Sequence, residues 1–168
     1  MRTSLLRLVA LFSAPVLAGS LLANGDFEAG LEGWRVWGAT ASPNVHAGKG
    51  ACEARATEDA WVGLDQVIAL PATAKTLTLT GWIQADGVRQ GPEDWNKGRL
   101  GLEFLDARDS VVGGWQLVAG QARGRTPWTR VERTYAVPEG AAKTKVICAL
   151  ANAHGTFRCD DIELTVSP

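Results

Sequence analysis

A period of two in the apolar residues is the feature that most restricts the fold of this chain. In the segment 76–85, Leu77, Leu79 and Ile83 alternate with threonine, tryptophan and glutamine. Such alternation indicates strands with one buried and one exposed face. No window shows a sustained helical period. The alternation recurs in four further segments, which are 99–105, 131–137, 145–150 and, less regularly, 156–166.

Turn-forming residues separate these segments and complete the prediction of an all-β chain. Many short strands joined by turns predict a two-sheet antiparallel β-sandwich. The longest polar connection, 86–98, carries Trp95 among charged residues. Ordered loops on a rigid β scaffold often carry binding residues. The turn clusters are 46–50, 71–75, 107–110, 138–140 and 152–155.

The N-terminus has the pattern of a secretory signal peptide. Arg2 and Arg7 precede an apolar run over 8–17, which small residues follow. Cleavage after Ala18 or after Ser20 fits this pattern equally well. The run is shorter than the ~20 residues that span a bilayer, so no membrane anchor is expected. We therefore predict a signal peptide over 1–20 and one secreted domain, periplasmic or extracellular, over 21–168.

The charge of the chain argues against a nucleic-acid partner. The chain has 17 basic and 18 acidic residues, and two of the basic ones, Arg2 and Arg7, lie in the predicted signal peptide. The remaining 15 basic residues are dispersed along the chain. A nucleic-acid-binding domain instead concentrates its positive charge on one face.

Three cysteines, Cys52, Cys148 and Cys159, leave at least one thiol unpaired. An exported protein can form disulfides, and Cys148 and Cys159 flank a predicted turn. The alternative is that all three are small buried apolar residues. An unpaired cysteine also permits a covalent dimer.

Several short motifs resemble carbohydrate-binding modules with the galactose-binding-like jelly-roll fold. The opening NGDFE at 24–28 and the closing GTFRCDDIEL at 155–164 resemble the first and last strands of those modules. WVGLDQ at 61–66, and Trp128 with VPEGA at 137–141, match in the expected order. The resemblance implies a non-catalytic domain that binds a polysaccharide or surface glycan. Residues near Trp95, Arg99, Phe104, Asp106 and Trp115 resemble modules attached to bacterial glycoside hydrolases.

The resemblance also implies a structural calcium ion. Its ligands would be Glu28, the carbonyl of Gly48 in the 46–50 turn, and Asp160 or Asp161. Calcium takes six to eight oxygen ligands and accepts carboxylates together with backbone carbonyls. We therefore expect Ca²⁺ to join the first and last strands.

Seven tryptophans against one tyrosine point to aromatic binding surfaces. The resemblance gives Trp34, Trp61 and Trp128 structural roles. Alternation instead places Trp82 on the polar face of its strand, as an exposed platform for a sugar ring. Aromatic surface with a few oriented polar groups is typical of small-ligand sites. The predicted carbohydrate-binding residues are Trp82, Gln84, Glu93, Trp95, Arg99, Glu103 and Trp115.

Catalytic motifs are missing from the sequence. It has no Gly-x-Ser-x-Gly elbow, paired-histidine zinc signature or phosphate-binding loop. Its two histidines, His46 and His154, fall in predicted turns. We therefore do not expect an enzyme. The alternative to glycan binding is a structural or adhesive protein that uses the same fold for protein–protein contact.

Overall fold

The computed structural model describes residues 19–168, and their regular structure consists of eight β-strands. No helix in that range is long and apolar enough to cross a membrane. The strands are β1 (Arg35–Trp37), β2 (Thr40–His46), β3 (Lys49–Ala69), β4 (Thr76–Arg89), β5 (Gly98–Leu105), β6 (Val111–Ala122), β7 (Gly124–Ala136) and β8 (Lys143–Ser167).

Two long strands, β3 and β8, each contribute to both layers of a sandwich. Sheet I contains β2, the first half of β3, the second half of β8, β4 and β7. Sheet II contains β1, the second half of β3, the first half of β8, β5 and β6. All of these strand pairs are antiparallel. The predicted all-β jelly-roll sandwich is thereby confirmed.

Strand β8 crosses from sheet II to sheet I where the sequence predicted a turn. The prediction of a turn over 152–155 is wrong, because the chain continues as one strand. Left-handed backbone angles at Asn152 (φ 48°) and Gly155 (φ 108°) mark the bend. A Cβ at position 155 would lie 2.5 Å from the Gly87 carbonyl oxygen, so only glycine fits there.

The core lies between the two sheets and follows the predicted alternation. In β4, every second residue from Leu77 to Ala85 is buried and the residues between are partly exposed. β5 differs, because all eight of its residues are buried. Its polar residues Arg99 and Glu103 were expected on an exposed face, but they lie in a cleft on the outer side of sheet II.

The cysteines form a disulfide and one buried thiol. Cys148 and Cys159 are bonded, and this bond joins the sheet II half of β8 to its sheet I half. Cys52 is fully buried, with its Sγ 4.0 Å from that of Cys148. Burial raises the pKa of the Cys52 thiol, with a smaller contribution from nearby Glu53. A dimer linked through Cys52 would need this thiol at the surface, so we do not propose one.

Candidate functional site

A cleft of about 460 Å³ lies on the outer face of sheet II. Strands β1, β3, β5 and β8 all contribute to it. It is larger than a single water site and falls in the size range of small-ligand pockets. The lining residues are Arg35, Val36, Trp37, Trp61, Asp65, Arg99, Glu103, Lys145 and Ile147.

Small residues on the central strands leave open space above the middle of this face. Gly63 of β3 is paired with Ala149 of β8, which is paired in turn with Arg99 of β5. In the next row, Ile147 is paired with Gly101. A Cβ at Gly101 would lie 2.4 Å from the Leu117 carbonyl oxygen, so the close approach of β6 requires glycine there. The larger side chains of the cleft therefore surround this open space.

Two tryptophans form an aromatic surface at the cleft. Trp61 and Trp95 are 45% and 44% exposed, and their ring centroids are 5.8 Å apart. Trp95 belongs to the loop between β4 and β5, where buried Asn96 accepts a 2.8 Å hydrogen bond from the Glu93 backbone N–H. The Arg99 Cζ lies 5.4 Å from the Trp61 ring centroid, within range of a cation–π contact.

Ion pairs fix the polar groups of the cleft. Asp65 accepts hydrogen bonds from Arg35 Nη2 and Trp37 Nε1, each at 2.8 Å. Lys145 Nζ lies 2.6 Å from Glu103 Oε2. Burial lowers the pKa of the Arg99 guanidinium and the charge of Glu103 opposes that shift. Arginine remains charged at neutral pH in such surroundings.

The predicted binding residues divide between two faces of the sandwich. Trp95, Arg99 and Glu103 are brought together in or beside the cleft. Glu93 is exposed in the same loop as Trp95. Trp115, 75% exposed, lies in the 113–116 bulge of β6, which the register places opposite Glu103.

Trp82 and Gln84 instead lie on the outer face of sheet I. The His46 ring is 5.3 Å from the Trp82 ring and stacks on Trp128 at 4.3 Å. Trp82 is half-buried, so the exposed platform that alternation suggested is not present. Gln84 Oε1 accepts a 2.8 Å hydrogen bond from Arg158, which is also paired with Glu53.

The predicted calcium ligands are gathered only in part. Ligand atoms of Asp160, Asp161 and His46 lie within 4.8 Å of one another. Asp160 is buried and contacts His46 Nδ1 at 2.5 Å. Glu28 instead accepts a 2.9 Å hydrogen bond from the Gly50 N–H. Two carboxylates suit calcium, whereas an imidazole is not one of its preferred oxygen ligands. Calcium binding therefore stays a prediction.

Sequence reasoning missed Arg35, Trp37, Asp65 and Lys145, and it gave Trp61 a structural role. A structural role does hold for Trp34, which is buried against Phe27. The signal for Trp61 and Asp65 was present, because alternation around buried Leu64 places both on the opposite face. Arg35 and Lys145 come from other strands, so only the strand pairing brings them to the cleft.

Solved structures with the same fold include several carbohydrate-binding modules. One is the CBM22-1 xylan-binding domain from Paenibacillus barcinonensis (TM-score 0.60, 16% identity, 89% of this chain and 96% of that chain). Another is TmCBM61 in complex with β-1,4-galactotriose (0.56, 23%, 88% and 99%). A third is the enzymatically active domain of bacteriophage CBA120 tailspike protein 4 (0.69, 14%). The match covers 88% of this chain but only 21% of that tailspike chain.

The family comparison rests on most of the chain. No curated protein matches this chain. Residues 19–152 match the family model CBM_4_9, which is described as a carbohydrate binding domain. That span covers every strand of the sandwich except the second half of β8. The chain therefore belongs to this family of carbohydrate-binding domains.

Proposed function

We propose that the cleft on sheet II is the sugar site, and that the chain binds a polysaccharide or surface glycan non-covalently. The observation that carries this proposal is the exposed pair of Trp61, which lines the cleft beside fixed polar groups, and Trp95, which contacts it. A sugar ring has C–H faces that pack on aromatic rings and hydroxyls that need hydrogen-bond partners. The cleft offers both kinds of surface.

The polar groups of the cleft are held in place before a ligand arrives. Asp65 is fixed by Arg35 and by the indole of Trp37, and Glu103 is fixed by Lys145. Groups that are already oriented lose little conformational entropy on binding, so more of the contact energy appears as affinity. In this proposal, Trp61 and Trp95 carry the sugar ring and the charged groups orient its hydroxyls.

Binding without hydrolysis fits the state of the two cleft carboxylates. Asp65 is ion-paired with Arg35, and Glu103 with Lys145. A glycosidase needs one protonated carboxylic acid and one carboxylate across the bond that it cleaves. Each of the two cleft acids is instead buried and engaged by a cation. We therefore propose a binding role without catalysis.

Similar proteins support the ligand class of this proposal. One of the solved structures is named as a xylan-binding domain, and another holds β-1,4-galactotriose. Both ligands are chains of sugar units. We propose that this domain likewise binds a glycan chain.

Export is also part of the proposal. The predicted signal peptide lies almost entirely outside the described residues, which begin at Gly19. The Cys148–Cys159 disulfide supports export, because disulfides persist in oxidising compartments.

Affinity electrophoresis through gels that contain individual polysaccharides tests the site. We expect at least one polysaccharide to retard the protein, and Trp61→Ala and Trp95→Ala each to abolish most of the retardation. Trp82→Ala is the matched control, because its indole lies on the opposite sheet. Retardation that is lost in Trp82→Ala but kept in the two cleft variants would contradict the site. A protein that no glycan retards, and that forms dimers in solution, would favour the adhesive alternative.

A further inference from the structure

The cleft has the opposite sign of charge to the domain around it. Its charged lining residues are Arg35, Arg99 and Lys145 against Asp65 and Glu103, an excess of one positive charge. The chain without Arg2 and Arg7 has 15 basic and 18 acidic residues, a net charge of −3. A local reversal of sign in a concave site concentrates ligands of the opposite charge.

The two acids of the cleft are more deeply buried than the cations paired with them. The side chains of Asp65 and Glu103 are only 3% and 5% exposed, so both acids lie deep. Their partners are more accessible, at 72% for Arg35 and 23% for Lys145. Arg99 lies as deep as the acids, at 4%, so an approaching ligand meets Arg35 and Lys145 first. The buried acids hold those groups in place and are shielded from the ligand.

Arg35 still has donors to offer after its ion pair is formed. Its Nε and Nη2 donate to Asp65. Among residues 19–168, no hydrogen bond occupies its Nη1, which carries two N–H donors. A guanidinium presents paired donors in a plane, and this geometry matches a carboxylate.

The aromatic surface and the positive charge belong to the same cleft. Arg99 lies against the ring of Trp61, which in turn contacts Trp95. A sugar on these rings is consequently near cationic groups. A carboxylate on that sugar would gain a charge-assisted contact that a neutral hydroxyl cannot provide.

We infer that the ligand is an anionic polysaccharide, whose sugar units carry carboxylate or sulfate groups. This inference rests on the proposed function and narrows it to one substrate class. Carboxylate and sulfate share the negative charge and a guanidinium can pair with either, so the polymers compared below distinguish the two sources.

Matched polymers test the inference by isothermal titration calorimetry. Polygalacturonate is compared with its methyl ester, which keeps the backbone but loses the charge, and dextran sulfate with dextran. We expect at least one charged polymer to bind about tenfold or more tightly than its uncharged counterpart. The affinity of that charged polymer should fall in about 1 M NaCl, where the Debye length is about 3 Å. Equal affinity of both charged polymers and their uncharged counterparts would overturn the inference. A preference for polygalacturonate over its ester would identify the bound group as carboxylate, and a preference for dextran sulfate over dextran would identify it as sulfate.

Charge variants locate the effect. Arg35→Gln and Lys145→Gln are each expected to weaken binding of the charged polymer about threefold to tenfold. Arg125→Gln is the matched control, since Arg125 is an exposed arginine paired with Asp86 on sheet I. The melting temperature of each variant shows whether it is folded. Because two cleft variants are tested, the inference can still be tested if one of them does not fold. Unchanged affinity in both would overturn the inference.

The same experiments separate this inference from the proposed function. If neutral polymers bind as well as charged ones and Trp61→Ala abolishes that binding, the sugar site stands and the anionic preference is wrong. If Trp61→Ala leaves every binding event unchanged, the proposed site fails and the inference fails with it.

Discussion

At the scale of single residues, Asp65 connects the charged and aromatic parts of the cleft. It lies almost fully buried on β3 and accepts hydrogen bonds from two residues of β1, Arg35 and Trp37. A buried carboxylate needs such donors, because an unpaired one would cost several kcal/mol. The short strand β1 is therefore held to sheet II by Asp65 as well as by its backbone pairing with β3.

Removing the indole donor tests this role of Asp65. Trp37→Phe keeps an aromatic ring at β1 but deletes the Nε1–H that binds Asp65. Hydrogen bonds to charged groups contribute about 1.5–3 kcal/mol, so we expect the free energy of unfolding in urea to fall by about that amount. Trp115→Phe, at an exposed position, is the control. Equal stabilities for the two variants would show that the Trp37–Asp65 bond is not made.

At the scale of elements, strand β8 carries a disulfide that spans its crossing between the two sheets. Cys148 and Cys159 lie on the two halves of the bent strand, 11 residues apart in sequence. A cross-link over a short loop still removes conformational entropy from the unfolded chain. The bond also ties sheet I to sheet II directly.

Deleting this disulfide tests its contribution. The variant Cys148→Ala/Cys159→Ala is expected to lose about 2–4 kcal/mol of unfolding free energy. Cys52→Ala is the control that keeps the bond. In the unmodified protein, the buried Cys52 should react with a thiol reagent only after denaturation, because the thiolate is the reactive form and burial disfavours it. Three reactive thiols in the denatured, unreduced protein would refute this pairing.

A bound calcium ion would join the N-terminal segment around Glu28 and the 46–50 turn to the last strand, β8. A ligand that binds the folded state must stabilise it. Chelator-treated protein is therefore expected to melt at a higher temperature once calcium is restored, and Asp160→Asn to lose that increase. Identical melting curves with and without calcium would end this prediction.

Much of each element could be predicted from the sequence, and the departures have physical causes. Alternation identified the buried face of β4, because one side of that strand packs on the core and the other meets solvent. It misjudged β5, since Arg99 and Glu103 are buried by residues from other strands. The 152–155 segment has turn composition, but its left-handed residues bend a strand instead. Trp95 was identified from its loop, whereas Arg35 and Lys145 depend on strand pairing.

At the scale of the whole molecule, the N-terminal segment is part of the sandwich. Leu21 N–H donates to the Leu164 carbonyl at 2.8 Å. The Ser20 hydroxyl accepts hydrogen bonds from the backbone N–H groups of Leu22 and Leu164, each at 3.1 Å. Ser20 is thus bonded to the last strand.

These contacts separate the two predicted cleavage sites. Cleavage after Ala18 keeps Ser20 in the mature domain, whereas cleavage after Ser20 removes its hydroxyl from Leu164. We therefore expect an exported protein to begin at Gly19. Intact mass spectrometry of the secreted protein measures this directly. A mature chain that begins at Leu21 would contradict the expectation.

Glycan binding in the cleft on sheet II would change the surroundings of the nearby tryptophan indoles, whose N–H signals can be followed by NMR. The titrant is an oligosaccharide of a polysaccharide that retards the protein in affinity electrophoresis. In ¹H–¹⁵N spectra recorded during this titration, we expect the indole signals of Trp37, Trp61 and Trp95 to shift together. The signals of Trp82 and Trp128, on sheet I, should stay in place. Shifts at Trp82 and Trp128 without shifts at Trp61 and Trp95 would contradict binding in this cleft and move the site to the opposite face.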